Sequence, residues 1–237
     1  MNITFRNRTW DVGDNPDHAP FWSWVQAGTW ETHTFNVLDR YLRSGDTFLD
    51  LGAWIGPISM YAYSMCSRVI SLEPDPVAFT ELEANLDRNQ MKRVERFRSA
   101  VNHYDGVIHL GSNYLGASTT REYNLDPLEH WIEAPCEKLT TLLGRLDIQT
   151  PLFIKTDIEG CETNLFAGTA RDFIMANRPT ILMSHHPFWW KGDQDEHWRR
   201  FCSLADGYRY KFNSTNLTPF DPHSPCWDVL LTNNDPR

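Results

Sequence analysis

The sequence predicts an α/β fold: a mostly parallel sheet covered by helices on both faces, with an antiparallel strand at one edge. Three observations predict it. From Phe48 onward, short apolar strands alternate with helical patterns. The conspicuous clusters of glycines, acids and histidines fall directly after those strands, where ligands sit in open parallel sheets. The length of 237 residues suits one large core, able to bury roughly 70 per cent of the surface its unfolded chain exposes.

The elements follow in order. Ile3-Thr4-Phe5 reads as a short strand and Gly13-Asp14-Asn15-Pro16-Asp17 as a turn. A helix over 32–43 places Phe35, Leu38, Tyr41 and Leu42 on one face, and Ser44-Gly45-Asp46 closes it. Residues 1–45 thus form an N-terminal cap on a core spanning 46–237. No long linker or repeat interrupts the chain, which predicts a single domain over 1–237.

The first core strand, Thr47-Phe48-Leu49, runs into Asp50-Leu51-Gly52-Ala53-Trp54-Ile55-Gly56. A second strand over 68–73 ends at Glu73; Pro74 and Pro76 mark a turn, and 77–89 carries Phe79, Leu82 and Leu86 at helical spacing. A third strand is predicted over 94–100, with extended pieces at 107–110 and 131–136 around the small-residue run Gly116-Ala117-Ser118-Thr119-Thr120. A helix over 139–145 leads to the strand 152–157. Then come a helix over 162–167, a strand over 180–183, a helix over 194–204, and final strands over 208–212 and 227–231.

Composition excludes several classes. A net charge of −9, with no Lys/Arg cluster, opposes a nucleic-acid partner. No apolar run reaches membrane-spanning length, and Met1-Asn2-Ile3-Thr4-Phe5-Arg6 lacks the apolar core of a signal peptide. Five cysteines, Cys66, Cys136, Cys161, Cys202 and Cys226, form no CxxC and are odd in number, which opposes a disulfide framework or zinc ribbon. The expectation is a soluble cytoplasmic protein, in which the sequons at Asn7, Asn213 and Asn216 carry no meaning. Four of the ten tryptophans, Trp10, Trp22, Trp24 and Trp30, fall in the first 30 residues. They read as core packing or as a platform for a ring-shaped acceptor.

Asp50 to Gly56 reads as a cofactor cradle, because two glycines let the backbone turn tightly between a strand and a helix. A nicotinamide cofactor would need glycines at 52, 54 and 57, and the chain has Trp54 and Pro57. S-adenosylmethionine (SAM) has no pyrophosphate to cradle and tolerates the looser Asp50-x-Gly52-x-x-x-Gly56. Glu73, at the end of the second strand, suits two ribose hydroxyls in either case.

Two further clusters follow strands. In Lys155-Thr156-Asp157-Ile158-Glu159-Gly160-Cys161-Glu162, positions 155, 157 and 159 share one side of an extended strand. They read either as an ion pair shaping the loop or as a site, with Asp157 near the reacting centre and Lys155, Glu159 and Glu162 on the substrate. Ser184-His185-His186-Pro187-Phe188-Trp189-Trp190 offers His186 or His185 as base for an acceptor hydroxyl, with Trp189 and Trp190 on the substrate. A divalent metal on Asp157, Glu159 and His185 is conceivable from the residue types and is not favoured.

Together these motifs resemble a family. Asp50-x-Gly52-Ala53-x-x-Gly56, Leu72-Glu73-Pro74-Asp75-Pro76, Leu82-x-x-Asn85-Leu86-x-x-Asn89, Gly116-Ala117-Ser118 and Ile154-Lys155-x-Asp157-x-Glu159-Gly160-x-Glu162 occur in the order seen in the FkbM-type methyltransferases. The resemblance begins upstream at Gly28-Thr29-Trp30-Glu31 and covers roughly residues 28–182. It implies a Rossmann-like class I methyltransferase sandwich of seven strands, SAM as cofactor, and methylation of a hydroxyl on a sugar, glycan or secondary-metabolite acceptor. Carried over by position, Asp50, Gly52, Ala53 and Gly56 would shape the methionine side, with Glu31 near its amino group. Glu73 and Pro74 would lie at the ribose, Ser99 and Ala100 near adenine, and Asp157 beside the reacting centre. The chain departs from the family at Trp54, where a small polar residue is common, and at Ser184, where an acid often precedes the histidine. The competing readings are an NAD(P)-dependent oxidoreductase or epimerase and a non-catalytic SAM- or glycan-binding module.

Overall fold

The computed structural model describes residues 1–111, 131–187, 190, 192–221 and 228–237. The run at 116–120, together with Trp189, Cys226 and Trp227, lies outside them. The cap begins with the hairpin β1 (Asn2–Phe5) and β2 (Arg8–Asp11), then α1 (Ala19–Ala27) and α2 (Thr32–Tyr41). The sequence pattern missed β2 and α1. Helix α1 carries Pro20 in its first turn and ends on Gly28 at φ 69°, a left-handed C-terminal stop.

The core strands are β3 (Thr47–Leu51), β4 (Arg68–Leu72), β5 (Val94–Phe97), β9 (Leu152–Thr156), β10 (Thr180–Ser184), β11 (Tyr210–Asn213), β12 (Thr218–Pro219) and β13 (Asp228–Thr232). Across the sheet they run β12-β11-β13-β10-β9-β3-β4-β5. Strands β5, β4, β3, β9 and β10 are parallel, while β13 pairs antiparallel with both β10 and β11. Among the described residues the sheet therefore has eight strands, with the two-residue β12 at one edge. The expected antiparallel edge is present: β13 runs antiparallel between β10 and β11, and the outer strand β12 pairs antiparallel with β11. The β13 residues Val229, Leu230 and Leu231 are fully buried, as an interior strand requires.

Other differences have local causes. The strand predicted over 94–100 stops at Phe97, where Ser99 N–H turns back to the Phe97 carbonyl (3.0 Å). Ala100–Asn102 then forms β6 of a separate three-stranded sheet, with β7 (Gly106–Gly111) and β8 (Trp131–Lys138). The helix predicted over 162–167 is a 3-10 turn, Cys161–Phe166, followed by α6 (Gly168–Asn177). Helices α3 (Pro57–Ala62), α4 (Pro76–Arg88), α5 (Leu139–Arg145) and α7 (Gln194–Ala205) complete the layers.

Alternation along β3 sorts its side chains between two cores. Phe48 joins the cluster formed with the cap, α3 and α4, whereas Leu49 and Leu51 join the cluster with α5, α6 and α7. Cap residues Phe5, Trp10, Trp22, Phe35 and Leu38 belong to the same apolar cluster as Phe48 and Phe153. The cap is thus part of the core on that face. Among the described residues no helix is long and apolar enough to cross a membrane.

Candidate active site

Strand order reverses direction at β3 and β9, so their carboxyl ends diverge into a crevice. Gly52 and Gly56 make that crevice possible by protein packing. Gly52, at φ 78°, passes so close to β9 that a Cβ would stand 1.9 Å from the Asp157 carbonyl oxygen. Gly56, at φ 96°, opens α3, and a Cβ there would stand 2.6 Å from Leu82.

The crevice holds a cavity of about 250 Å³. Its walls include Glu31, Gly52, Ala53, Trp54, Glu73 and Pro74. Ser99, Ala100 and the β9 loop residues Asp157 and Glu159 close it, with Lys155 at its edge. Asp50 and Gly56 do not line it. Alternation turns Asp50 toward α3, where its Oδ2 accepts from Ser59 Oγ (2.6 Å) and is wholly buried. Register places Lys155 directly opposite on β9, with Nζ 3.8 Å from Asp50 and 3.5 Å from Asp157. Lys155 is buried, and its Nζ also donates to the Gly52 carbonyl (3.4 Å). The lysine expected on the substrate instead ties β3, its turn and the β9 loop together.

Glu73 accepts Trp54 N–H at Oε2 and Asp75 N–H at Oε1, both at 2.8 Å. Burial nevertheless pushes its carboxyl up to about 8. Trp54, at φ 49°, turns its ring onto the cap, edge-on to Phe21 (4.5 Å) and His18 (5.6 Å). That accommodates a bulky residue at this position. Its indole Nε1 is buried with no hydrogen-bond partner among the described residues.

A second cavity, of about 370 Å³, adjoins the first and shares Glu31, Asp157 and Glu159 with it. His33, Ser184, His185, His186 and Asp228 line the rest. Burial, then the charge of Asp157, raises Glu31 to about 7. Glu31 Oε2 accepts from Thr34 Oγ1 (3.0 Å).

The two adjacent histidines have different surroundings. His185 is buried edge-on to Phe201 (4.4 Å) and Trp190 (5.7 Å), and burial, then His186, pushes it down to about 3. That corrects its assignment as a base at neutral pH. His186 Nδ1 lies 2.7 Å from Glu162 Oε1, and its Nε2 lies 3.6 Å from Asp157 and 3.7 Å from Glu159. Burial opposes its charge, but Glu162, Glu159 and Asp157 outweigh burial and raise it to about 9. Both ring nitrogens thus face carboxylates, an arrangement that favours the protonated imidazole over a free proton acceptor.

Glu162 is also corrected as a substrate contact. It is fully buried and accepts from Gly160 N–H and from the Trp190 indole (3.2 Å). Trp190 itself is buried, not a stacking platform. Among the described residues, those able to hold a divalent cation are Asp157, Glu159 and His186, whose ligand atoms lie within 4.8 Å of one another. His186 takes the place expected of His185, because the latter ring is turned into the core.

The family model for the methyltransferase FkbM domain matches residues 50–210. The chain belongs to the FkbM methyltransferase family. No curated protein sequence matches it significantly. Solved structures with similar folds include an rRNA methylase from Streptococcus thermophilus, 11% identical, covering 86% of this chain and 95% of that one at a TM-score of 0.43. A TehB-like SAM-dependent methyltransferase from Corynebacterium glutamicum is 14% identical, covering 92% and 97% at 0.43. The putative methyltransferase SMU.1697c from Streptococcus mutans, in complex with SAH, is 9% identical, covering 87% and 96% at 0.42. Likeness at this level bears on neither acceptor nor residue roles.

The cofactor of this FkbM methyltransferase is SAM, and the first cavity fits it in chemistry. Glu31, raised by burial and then by the charge of Asp157, suits with Asp157 a cationic amino group between them. The indole Nε1–H of Trp54 is a buried donor with no acceptor among the described residues. Leu72, Val101, Leu110 and Ile158 supply an apolar wall for a purine.

Sequence reasoning missed His33 and Asp228. His33 lies two residues beyond the Gly28-Thr29-Trp30-Glu31 motif, and Asp228 opens a C-terminal strand with no local pattern. Only the insertion of β13 beside β10 brings Asp228 to the cavity.

Proposed function

We propose that this methyltransferase places its methyl group on a hydroxyl of a sugar, glycan or hydroxylated secondary metabolite. The supporting observation is the second cavity, contiguous with the first and lined by carboxylates and imidazoles. Such a lining hydrogen-bonds an uncharged polyol and repels phosphate and carboxylate groups. The net charge of −9 argues in the same direction against a nucleic-acid acceptor.

In this reading Glu73 binds the ribose diol, while Pro74, Ser99 and Ala100 flank the nucleoside. Glu31 and Asp157 hold the amino end, and Gly52 and Ala53 form the turn beneath it. Asp50 and Gly56 support that floor from below, and Lys155 ties it to the β9 loop at the cavity's edge. SAM, when bound, supplies a methyl group already activated by its positive sulfur, so the chain's own task is alignment and proton removal. His186 donates to the acceptor, and when protonated its charge offsets the repulsion between Asp157 and Glu159. Asp157 orients the acceptor hydroxyl at the junction of the two cavities.

The test uses the full chain with radiolabelled SAM and methyl glycosides of glucose, rhamnose and fucose, followed by mapping of the methylated atom. Label on oxygen is expected. Label only on nitrogen or on RNA would refute the reading, and calorimetry showing NAD binding without SAM binding would refute the cofactor site.

A further inference from the structure

The second cavity contains a pair of side chains from the two ends of the chain, and its use rests on the oxygen-methylation reading above. His33, on cap helix α2, presents Nε2 3.4 Å from Asp228 Oδ2 at the start of β13. Asp228 Oδ1 accepts from Ser184 Oγ at 2.9 Å, at the end of β10. We propose that His33 is the proton acceptor for the acceptor hydroxyl, with Asp228 and Ser184 as the residues that position it.

Geometry supports this in three ways. His33 and Asp228 line the cavity that shares Asp157 and Glu159 with the cofactor cavity, so the imidazole stands on the acceptor side of the junction. With Nε2 facing a carboxylate, the favoured tautomer keeps the proton there and leaves the lone pair on Nδ1. The His33 side chain also retains 20% exposure, enough to meet a ligand.

The other two histidines are unsuited to the task. His185 is buried against aromatic rings, and His186 has both ring nitrogens set against carboxylates, Nδ1 at Glu162 and Nε2 at Asp157 and Glu159. Burial alone would push the His33 imidazole down. The hydrogen bond and charge of Asp228, helped by Glu31, outweigh burial and leave it above its ordinary value. The ionisable groups around this cavity are Glu31 from the cap, Asp157 and Glu159 from the β9 loop, His185 and His186 after β10, and Asp228 from β13. The acid beside Ser184 arrives from β13 and is held by that serine.

During transfer the hydroxyl oxygen gives its proton to Nδ1 of His33 and its electron pair to the methyl carbon, forming the C–O bond. The carbon–sulfur pair stays on sulfur, which becomes a neutral thioether. Imidazolium forms beside the Asp228 carboxylate and returns its proton to solvent.

The test combines methylation of the glycosides named above with an acceptor-independent measurement on the full chain. His33→Gln should lower kcat by about 100-fold or more while S-adenosylhomocysteine affinity stays within about threefold of wild type by calorimetry. Asp228→Asn should lower kcat and move the acid limb of the pH profile to lower pH, because the charge that holds up the His33 proton is gone. Side-chain NMR of 15N-histidine protein should show His33 protonated on Nε2 when neutral and titrating above about 6.5. The same resonance should titrate lower once Asp228→Asn is introduced. Oxygen methylation at wild-type kcat in His33→Gln would overturn the inference and leave the proposed function standing. A His33 resonance whose titration is unmoved by Asp228→Asn would overturn it without any acceptor. Methylation on nitrogen alone would instead sink the reading beneath it.

Discussion

Glu73 uses both carboxylate oxygens to hold backbone N–H groups, from Trp54 and Asp75, and still faces the cavity. A glutamine there would place an NH2 against one of those donors. Glu73→Gln should therefore weaken S-adenosylhomocysteine binding by about tenfold or more, roughly 1.4 kcal/mol, measured by calorimetry. Gly52 shows how a local signal and its cause can part company. The two glycines were legible as a turn, but the reason for Gly52 is the backbone of Asp157, just past β9 and far along the chain. Gly52→Ala should cost roughly 3 kcal/mol or more in urea unfolding, whereas Gly45→Ala, with nothing within 4 Å of its Cβ, should be close to neutral. Lys155 illustrates the same limit, since alternation predicted its side of the strand but not that Asp50 would stand opposite to bury it.

At the scale of elements, α1 forms a wall that no sequence pattern announced. Phe21 contacts Trp22, Trp30 and Trp54 edge-on at 5.0, 4.8 and 4.5 Å, so one side chain joins the cap to the cofactor turn. Phe21→Ala should destabilise the protein by roughly 3–5 kcal/mol and weaken S-adenosylhomocysteine binding, because Trp54 loses its support. Differential unfolding with and without that ligand checks both effects. The 3-10 turn Cys161–Phe166 acts comparably on the other cavity. It buries Glu162 beneath His186 and fixes the ring that Asp157 and Glu159 then surround. Strands β3, β4, β9 and β10 were readable because each is a short apolar run ending in a chemical cluster. Strand β13 was readable as a strand, but its slot between β10 and β11 follows from strand pairing across the sheet, which periodicity does not encode.

For the molecule as a whole, the carboxyls and the imidazole of the cleft predict a pH dependence. Glu31 and Glu73 are raised to about 7 and about 8, and His186 to about 9. Between about pH 6.5 and 9 the folded chain therefore binds more protons at these groups than the unfolded chain, so stability falls as pH rises. His185, pushed down to about 3, works in the opposite direction but only below its ordinary value near 6.5. The expected outcome in EDTA is a fall in Tm of roughly 5 °C across about pH 6.5–9. The fall should shrink in saturating S-adenosylhomocysteine, whose amino group favours ionised Glu31. A Tm that is flat or rising over that window would contradict the protonation states assigned to the cleft.

The sequence by itself determined the alternating α/β order, the acid at the end of β4, the loose glycine turn and the order of motifs that mark the family. Those are local features, carried by period, turn chemistry and spacing along a few residues. Only the tertiary structure decided that Asp50 lies below the floor with Lys155 paired to it, that His185 faces the core while His186 faces three carboxylates, and that His33 meets Asp228. Each of those outcomes depends on which strand lies beside which, and a side chain's charge and reach are set by neighbours that arrive from distant parts of the chain.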